Sequence, residues 1–205
     1  GKAMVNILPI ETGVSIAALM PVDVPEEEWD SLQIVFATSD GDVRQNDLSD
    51  FTNVMRNGKI AMKLPEGVFL VNAAIADEND DIMLVTHLGR AIRFSTSEIR
   101  VFKSRGSTGV RGVRLGKDDR VVSMSIIRHF EAEAEERAAY LKQRRLMAGV
   151  TEDEADDEEE TVAVGQLCPE RYAEMAAAED LILTITAGGS GKLSSSHDYP
   201  VRGRG

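Results

Sequence analysis

Cysteine, aromatic residues and long apolar runs are all scarce in this chain. One cysteine, Cys168, stands among the 205 residues, so no disulfide can form within the chain, and this usage is typical of a reducing cytoplasm. No apolar run approaches the roughly 18 residues that a membrane-spanning helix needs, and no signal-peptide pattern is visible. Hydrophobic residues still make up 42% of the chain, which is enough for an aliphatic core.

The sequence also lacks the patterns of common catalytic and cofactor sites. No Gly-x-x-x-x-Gly-Lys-Ser/Thr loop is present, so nothing predicts a nucleotide site. His87, His129 and His197 lie too far apart in the sequence to suggest a metal site. Ser196, His197 and Asp198 are adjacent, but neighbours on an extended chain point to opposite faces and cannot form a proton relay. We therefore predict neither a catalytic residue nor a metal ligand.

The formal net charge of −12 is concentrated in one segment. Residues 128–180 hold 16 Asp and Glu against 6 Lys and Arg, a net charge of −10, so the rest of the chain carries only −2. A strongly acidic protein is a poor candidate for binding nucleic acid. Because nearly all of the excess charge lies in one segment, the remainder of the chain can still present a basic face.

A hydrophobic hairpin pattern is present three times. In each copy an apolar run ends at a threonine, two residues follow, and a glycine comes next; the copies are Ile34–Gly41, Ile82–Gly89 and Ile182–Gly189. The successive intervals between the threonines are 48 and 100 residues. A period of about 50 residues is typical of propellers and solenoid arrays. The sequence therefore predicts a repeat array whose second interval contains either a skipped unit or an insertion.

Residues 128–180 favour an insertion. They show no β-type alternation, and Glu131–Met147 has the composition of a helix. Thr151–Glu160 is a block of like charges, which should repel itself and stay disordered. A short second helix is predicted from Pro169 to Ala178, with proline at an early helical position.

Each repeat is predicted to contain short β-segments joined by turns. In the first repeat the segments are Gln33–Thr38, Asp42–Asn46, Gly58–Leu64 and Val68–Ala76. In the second repeat they are Asp81–Thr86, Arg90–Phe94, Ile99–Lys103, Gly109–Leu115 and Arg120–Ile127. Lys2–Leu8 and Ser15–Pro21 look like the closing half of an earlier unit, and Leu181–Gly205 looks like the opening half of a later one.

These patterns predict an all-β fold, a fragment of a β-propeller-like array of about three blades with a helical and partly disordered acidic insertion. We expect blades over residues 1–127, the insertion over residues 128–180, and the opening half of the next blade over residues 181–205. We also expect the chain to be a piece of a longer protein.

A basic, glycine-containing motif stands in the second repeat. It reads Thr108-Gly-Val-Arg-Gly-Val-Arg-Leu115 and follows the basic stretch Arg100–Arg105. Asn6–Glu11 and Asp80–Thr86 support the same match. At this repeated spacing the combination resembles the C-terminal domain family of the bacterial DNA gyrase A subunit, and the resemblance covers nearly all of the chain outside the insertion.

The resemblance implies a six-bladed β-pinwheel whose neighbouring blades exchange strands and whose basic perimeter wraps DNA. In that family the wrapped DNA lets a type II topoisomerase introduce negative supercoils with ATP bound by the B subunit, while the C-terminal domain itself catalyses nothing. The implied partners are double-stranded DNA, the gyrase B subunit and a second A subunit, in the cytoplasm at the nucleoid. No cofactor is expected in this chain, because the family holds ATP and Mg²⁺ on other domains.

Lysines and arginines recur after the hairpin turns and on the later segments, where the resemblance implies contact with DNA. Both side chains neutralise phosphate charge, and arginine can bind two oxygens at once. The predicted DNA-binding residues are Lys2, Arg44, Arg56, Lys59, Lys63, Arg90, Arg93, Lys103, Arg105, Arg111, Arg114, Lys192, Arg202 and Arg204. The alternative for each of them is an ordinary surface charge that only keeps the protein soluble.

Two features depart from the family. A Gln-Arg-Arg-Gly-Gly-Lys-Gly type box near the first blade is absent, and the acidic insertion is not part of the common core. The insertion is interpreted as a solvated spacer, as a DNA mimic that competes for the basic surface, or as a contact for another gyrase segment.

Two other functions remain open. The equivalent domain of the topoisomerase IV A subunit would bind DNA without wrapping it. A protein-interaction propeller would have no role with DNA, and its binding would not weaken steeply as salt rises.

Overall fold

Three antiparallel hairpins of one register recur along the chain. The computed structural model describes residues 1, 3–11, 13–55, 57–149 and 165–205. Within these ranges the strands are β1 (Gln33–Thr38), β2 (Asp42–Asp47), β3 (Leu70–Ala76), β4 (Asp80–Thr86), β5 (Ala91–Ser95), β6 (Val110–Arg111), β7 (Val121–Arg128), β8 (Leu181–Ile185) and β9 (Gly191–Ser195). The α-helices there are α1 (Ala134–Met147) and α2 (Pro169–Ala177). The hydrogen-bonded sheet orders are β3-β1-β2-β6, β5-β4-β7 and β8-β9.

Each hairpin turns at the predicted threonine and glycine. The turn glycines have positive φ angles of 91° at Gly41, 80° at Gly89 and 84° at Gly189. In the third hairpin the Gly189 N–H donates to Thr186 O at 3.0 Å, and the Thr186 N–H donates to Ser190 O at 2.8 Å. This is a three-residue loop closed by a left-handed glycine, where a side chain would introduce strain. The three predicted hairpins are confirmed, with the same pairing register in each.

The first two hairpins are each completed by a segment from the following repeat. Strand β6, which belongs to the second repeat, pairs antiparallel with β2 of the first. Nearby, the Phe102 N–H donates to Gln45 O at 2.8 Å. One repeat further on, the Arg202 N–H donates to Arg93 O at the equivalent position, at 2.7 Å. We name the two donor segments the exchanged segments: residues 100–111 and residues 201–205.

Gly109 and Gly112 allow the first exchanged segment to approach β2 closely. Gly109 has a φ of +127°, and a Cβ placed on it would lie 2.5 Å from Val43 O. A Cβ on Gly112 would lie 2.8 Å from Val43 Cγ1. Both separations are shorter than van der Waals contact, so the exchange requires residues without side chains here.

The aliphatic core joins the sheets of the first two repeats. Val35 and Ala37 of β1 are fully buried in one cluster with Ile82, Leu84 and Phe94 of the second hairpin. The opposite face of β1 packs in a second cluster with the segment that precedes it. Burying a large aliphatic or aromatic side chain contributes about 1.5–3 kcal/mol to stability. This core fixes the position of β2, on which the first exchanged segment lies.

The described residues divide into two compact units. The first unit comprises residues 1–126 and 201–205, and the second comprises residues 127–200. The first division lies next to the predicted end of the blades at residue 127. Strands β8 and β9 group with the inserted helices in the second unit, and the predicted boundary between residues 180 and 181 stays a prediction.

His197 and Arg128 tie the second unit together. The His197 ring is 4% exposed; its Nε2 lies 2.9 Å from Met175 O, and its centroid lies 5.0 Å from that of Tyr140. These contacts join the segment after β9 to both helices. Arg128 pairs with Asp180 at 2.9 Å, so the two ends of the predicted insertion lie side by side. The two predicted helices are confirmed as α1 and α2.

Four predicted segments form no regular strand among the described residues. Lys2–Leu8 contains a short 3-10 helix at Met4–Asn6, Ser15–Pro21 and Gly58–Leu64 form no regular element, and Ile99–Lys103 contains a single bridge, from Val101 to Gln45. A strand needs a hydrogen-bonded neighbour. The counterpart of Gly58–Leu64 in the next repeat is β6, which pairs with the hairpin of the preceding repeat. In the described part of the chain before β1 there is no such hairpin. The predicted disordered block Thr151–Glu160 lies outside the described residues.

Candidate nucleic-acid interface

The predicted DNA-binding residues differ widely in exposure. Lys2 and Arg56 lie outside the described residues. The exposed members are Lys63, Arg90, Lys103, Arg111, Arg114, Lys192, Arg202 and Arg204. The half-buried members are Lys59 and Arg105, and the buried ones are Arg44 and Arg93. Five of the eight exposed side chains lie on the exchanged segments or just beyond the first of them.

Arg44 is buried, which corrects its prediction as an exposed DNA contact. Arg44 is 0% exposed. Its Nη1 donates to Ser107 O at 2.8 Å and to Ser107 Oγ at 2.7 Å. Nε donates to Asn46 Oδ1 at 2.8 Å. Burial is the main cause that lowers the pKa of Arg44. A buried guanidinium needs partners within the protein, and those partners connect β2 to the first exchanged segment.

Arg93 is also buried, and it is paired with a carboxylate. Arg93 and Asp81 are 4% and 0% exposed, and both Nε and Nη2 of Arg93 lie 2.8 Å from Asp81 Oδ2. Removing one member of a buried ion pair costs about 3–5 kcal/mol, because the other charge is left uncompensated. Arg93 therefore stabilises the β4–β5 hairpin, and its prediction as a surface contact is corrected.

Phe102 brings two guanidinium groups together beside β2. The centroid of its ring lies 4.6 Å from Arg44 Cζ and 4.4 Å from Arg100 Cζ. Arg105 Nη1 donates to Asp50 O at 3.1 Å. A guanidinium over an aromatic face is attracted by the negative charge of that face. We name Arg44, Arg100, Phe102 and Arg105 the Phe102 cluster.

The second exchanged segment adds arginines next to β6. Arg204 Nη1 donates to Arg111 O at 3.2 Å, and the Arg204 N–H donates to Glu98 Oε2 at 2.9 Å. Gly205 lies against the backbone of Arg114, since a Cβ on Gly205 would be 3.1 Å from Arg114 N. The backbone contacts therefore gather the exposed arginines at positions 111, 114 and 204 in one region of the first unit.

Two predicted lysines are engaged by neighbouring groups of the first unit. Lys59 Nζ donates to Thr52 O at 3.0 Å. Lys103 Nζ pairs with Asp47 at 2.6 Å, and this hydrogen bond raises the pKa of Lys103. Lys103 remains exposed, so its charge still faces solvent. Lys192 is exposed on β9 in the second unit.

Sequence reasoning missed Arg100 as a site residue. Arg100 is exposed and stacks on Phe102 at the start of the first exchanged segment. An aromatic residue two positions after an arginine in a basic stretch was the available signal. It could not be used, because the stack forms only where the segment lies against β2 of the preceding repeat.

The described side chains show no arrangement suited to holding a metal ion. Among them no group of three or more His, Cys, Asp and Glu is placed to hold a metal ion. His197 Nε2 is bound to Met175 O. No helix within these ranges is both long and apolar enough to cross a membrane. What the first unit does present is a set of exposed cationic donors fixed by strand exchange.

The match to a family model agrees with this repeat structure. The model for the DNA gyrase C-terminal domain, beta-propeller, matches residues 33–77, 80–128 and 180–205. These three ranges contain the three hairpins, and the gap between the last two contains α1 and α2.

The chain is also similar to curated gyrase proteins over its whole length. It is 48% identical over 217 residues to the DNA gyrase A subunit of Granulibacter bethesdensis, covering 100% of this chain and 23% of that protein. It is 43% identical over 208 residues to the DNA gyrase A subunit of Rickettsia bellii, covering 100% of this chain and 22% of that protein. The chain thus spans less than a quarter of the length of these relatives.

A solved structure supports the predicted fold class. The crystal structure of the C-terminal domain of DNA topoisomerase IV has a TM-score of 0.56 and 24% identity, covering 63% of this chain and 39% of that one. At this identity the likeness bears on the fold alone. From the family match over the hairpins and the identity along the whole chain, this protein belongs to the family of DNA gyrase C-terminal domains of the β-propeller type.

Proposed function

We propose that this chain binds double-stranded DNA through its exposed cations and wraps it, as the C-terminal domain of a DNA gyrase A subunit. The observation that carries the proposal is that both exchanged segments carry exposed arginines, and that the two segments bond to equivalent places of two successive hairpins. Several exposed cations on neighbouring segments suit a polymer that carries a negative charge at every phosphate. The relatives of this chain are named as DNA gyrase A subunits, which favours a role in gyrase over a role in topoisomerase IV.

The proposed binding depends on phosphate contacts and on bending. Each cation that neutralises a phosphate releases counterions, so several weak contacts together hold the duplex. These contacts must offset a bending cost on the order of several kcal/mol for a short duplex. Base sequence is not expected to matter, because the sequence holds no zinc motif and no recognition-helix pattern.

We further propose that the whole protein is an ATP-hydrolysing type II topoisomerase that introduces negative supercoils. Its partners would be the gyrase B subunit and a second A subunit, in the cytoplasm at the nucleoid. ATP and Mg²⁺ would act on other domains, and this chain would contribute only the positioning of wrapped DNA. The role of the acidic insertion stays a prediction, with the spacer, the DNA mimic and the contact segment as its alternatives.

The first experiment is fluorescence anisotropy with a labelled duplex of about 40 base pairs, roughly four turns of B-DNA. Binding is measured across a salt series from about 50 to 200 mM, where phosphate contacts lose most of their affinity. A steep fall of affinity with salt is expected. Binding that is absent at low salt, or a flat response to salt, contradicts the proposal and favours an apolar protein-interaction surface.

A second experiment separates wrapping from simple binding. Relaxed plasmid is incubated with the chain and with a relaxing topoisomerase, and its linking number is then measured. A shift that grows with protein concentration supports chiral wrapping of the gyrase type. Binding without a shift favours the domain of topoisomerase IV.

A further inference from the structure

The Phe102 ring is stacked against two arginines, one buried and one exposed. Arg44 is buried with Phe102, which is itself 6% exposed, and it donates to groups of the protein. Arg100 lies over the same ring, 4.4 Å from its centroid, yet it is exposed to solvent. The ring therefore fixes one guanidinium inside the protein and presents a second one to solvent.

The guanidinium donors of Arg100 are unused by the described residues. Among these residues the Arg100 side chain makes no hydrogen bond and no ion pair, and it stacks on Phe102. An unrestrained arginine side chain loses rotamer freedom when it binds a ligand, which weakens binding. Stacking restricts the side chain in advance, and it leaves the edge of the guanidinium free to bind two oxygens of one phosphate.

The surroundings of Arg100 carry an excess of positive charge. Asp47 pairs with Lys103 at 2.6 Å, while Asp50 accepts from the neutral Asn46 amide at 3.1 Å and keeps its charge, which acts on Arg44. The buried charge of Arg44 has hydrogen-bond partners that are all neutral, namely Asn46 and Ser107. The four cations Arg44, Arg100, Lys103 and Arg105 thus outnumber the carboxylates Asp47 and Asp50, and this surplus of positive charge favours an anion beside Arg100.

We propose that Arg100 binds a phosphodiester of double-stranded DNA and that Phe102 is the positioning residue that holds it ready. The inference rests on the proposed function and adds a specific contact to it. Arg44 supports the ring from within the protein and does not touch the DNA. The site takes a phosphate group, with no preference for the bases beside it.

The test measures duplex affinity of the whole chain across the salt series for Arg100→Ala and for the matched control Arg120→Ala. Arg120 is an exposed arginine of the first unit outside the exchanged segments. We expect Arg100→Ala to lose roughly tenfold in affinity, as for one charged hydrogen-bonded contact. Its slope of log affinity against log salt should become shallower by about 0.9, the value for one phosphate. Arg120→Ala should change neither quantity appreciably.

Two further variants separate positioning from charge. Arg100→Lys keeps the charge but loses the planar fork, so the salt slope should remain and affinity should fall. Phe102→Leu keeps the arginine but removes the aromatic face, so affinity should fall by about threefold with the slope retained. Fluorescence of Trp29, the one tryptophan of the chain, checks that each variant is folded.

The outcomes distinguish this inference from the proposed function. Equal behaviour of Arg100→Ala and Arg120→Ala, in a chain that binds DNA with a steep salt slope, overturns the inference and leaves the function standing. Unchanged affinity in both Phe102→Leu and Arg100→Lys overturns the positioning role. A parent chain that binds no duplex at low salt overturns the function and the inference together.

Discussion

The first and second repeats share one backbone arrangement but bury their arginines differently. In the first repeat Arg44 lies against Phe102 and donates to neutral groups. In the second repeat Arg93 forms a buried ion pair with Asp81. Both arginines lie on the second strand of a hairpin, and both stabilise the fold. The comparison teaches that arginines within the second strand of a hairpin are internal here, whereas the exchanged segments carry exposed cations, namely Arg100, Lys103, Arg111, Arg202 and Arg204.

One pair of positions shows how far the repeats have diverged. The pair consists of the first residue of each hairpin's registered pairing and a residue on its second strand. It is Gln33 with Gln45 in the first hairpin, Asp81 with Arg93 in the second, and Leu181 with Leu193 in the third. The amide oxygens of the two glutamines are buried without a hydrogen-bond partner among the described residues. The two leucines are 54% and 56% exposed. The same backbone register therefore accepts an amide pair, an ion pair or an apolar pair.

The largest expected effect comes from breaking the ion pair of the second repeat. Asp81→Ala should destabilise the first unit by about 3–5 kcal/mol, because Arg93 would stay buried without its carboxylate. Urea unfolding followed by Trp29 fluorescence measures this, since Trp29 packs in the core of the first repeat.

The double variant Asp81→Leu with Arg93→Leu is the matched control. It copies the apolar pair of the third repeat, and a well-packed apolar pair is often neutral or stabilising by about 1–4 kcal/mol relative to a buried ion pair. If the double variant is as unstable as Asp81→Ala, the ion pair is not the cause of the loss.

A smaller effect is expected at the close approach of the first exchanged segment. Gly109→Ala should destabilise the first unit by about 1–3 kcal/mol, because its φ of +127° and the 2.5 Å separation from Val43 O both oppose a Cβ. Gly106 has open space around it and no positive φ, so Gly106→Ala should stay within about 0.5 kcal/mol. Equal urea midpoints for the two variants would contradict the strand exchange.

The smallest stability effect is expected at a turn that distinguishes the first two repeats. Ser95 Oγ accepts a hydrogen bond from the Ser97 N–H after β5, whereas Asp47, at the same place after β2, makes no such cap. Ser95→Ala should cost about 0.5–1 kcal/mol in the free energy of unfolding of the first unit, measured from its urea midpoint. Ser123→Ala, at an exposed position on β7, is the control and should leave the midpoint unchanged.

Local patterns in the sequence were sufficient to predict the hairpins and the inserted helices. The threonine and glycine of each turn define a local hydrogen-bonded loop, so spacing alone identified all three. Burial of Arg44 could not be predicted in this way, because its partners Phe102 and Ser107 come from the following repeat. The failed strand Gly58–Leu64 has the same cause, since its composition is strand-like but its pairing depends on another segment.

Arg93 shows a second limit of reading charges from a sequence. An arginine on an alternating strand can point to solvent or to a buried carboxylate, and Asp81 lies 12 residues away across the hairpin. The register that brings Asp81 and Arg93 together was implied by the predicted turn. Applying that register to the charged residues would have placed Arg93 beside Asp81. Arg93 could then have been predicted as an internal ion-pair partner rather than an exposed cation.

The most direct test of the account compares two variants that each remove four charges. The first carries Arg100→Gln, Lys103→Gln, Arg202→Gln and Arg204→Gln, all on the exchanged segments. The second carries Lys117→Gln, Arg120→Gln, Lys142→Gln and Arg145→Gln, all exposed elsewhere. The account predicts that the slope of log duplex affinity against log salt becomes shallower by about 3.6 in the first variant, about 0.9 for each phosphate contact. The second variant should keep the slope of the parent chain. Equal slopes in the two variants would contradict the claim that the exchanged segments hold the DNA.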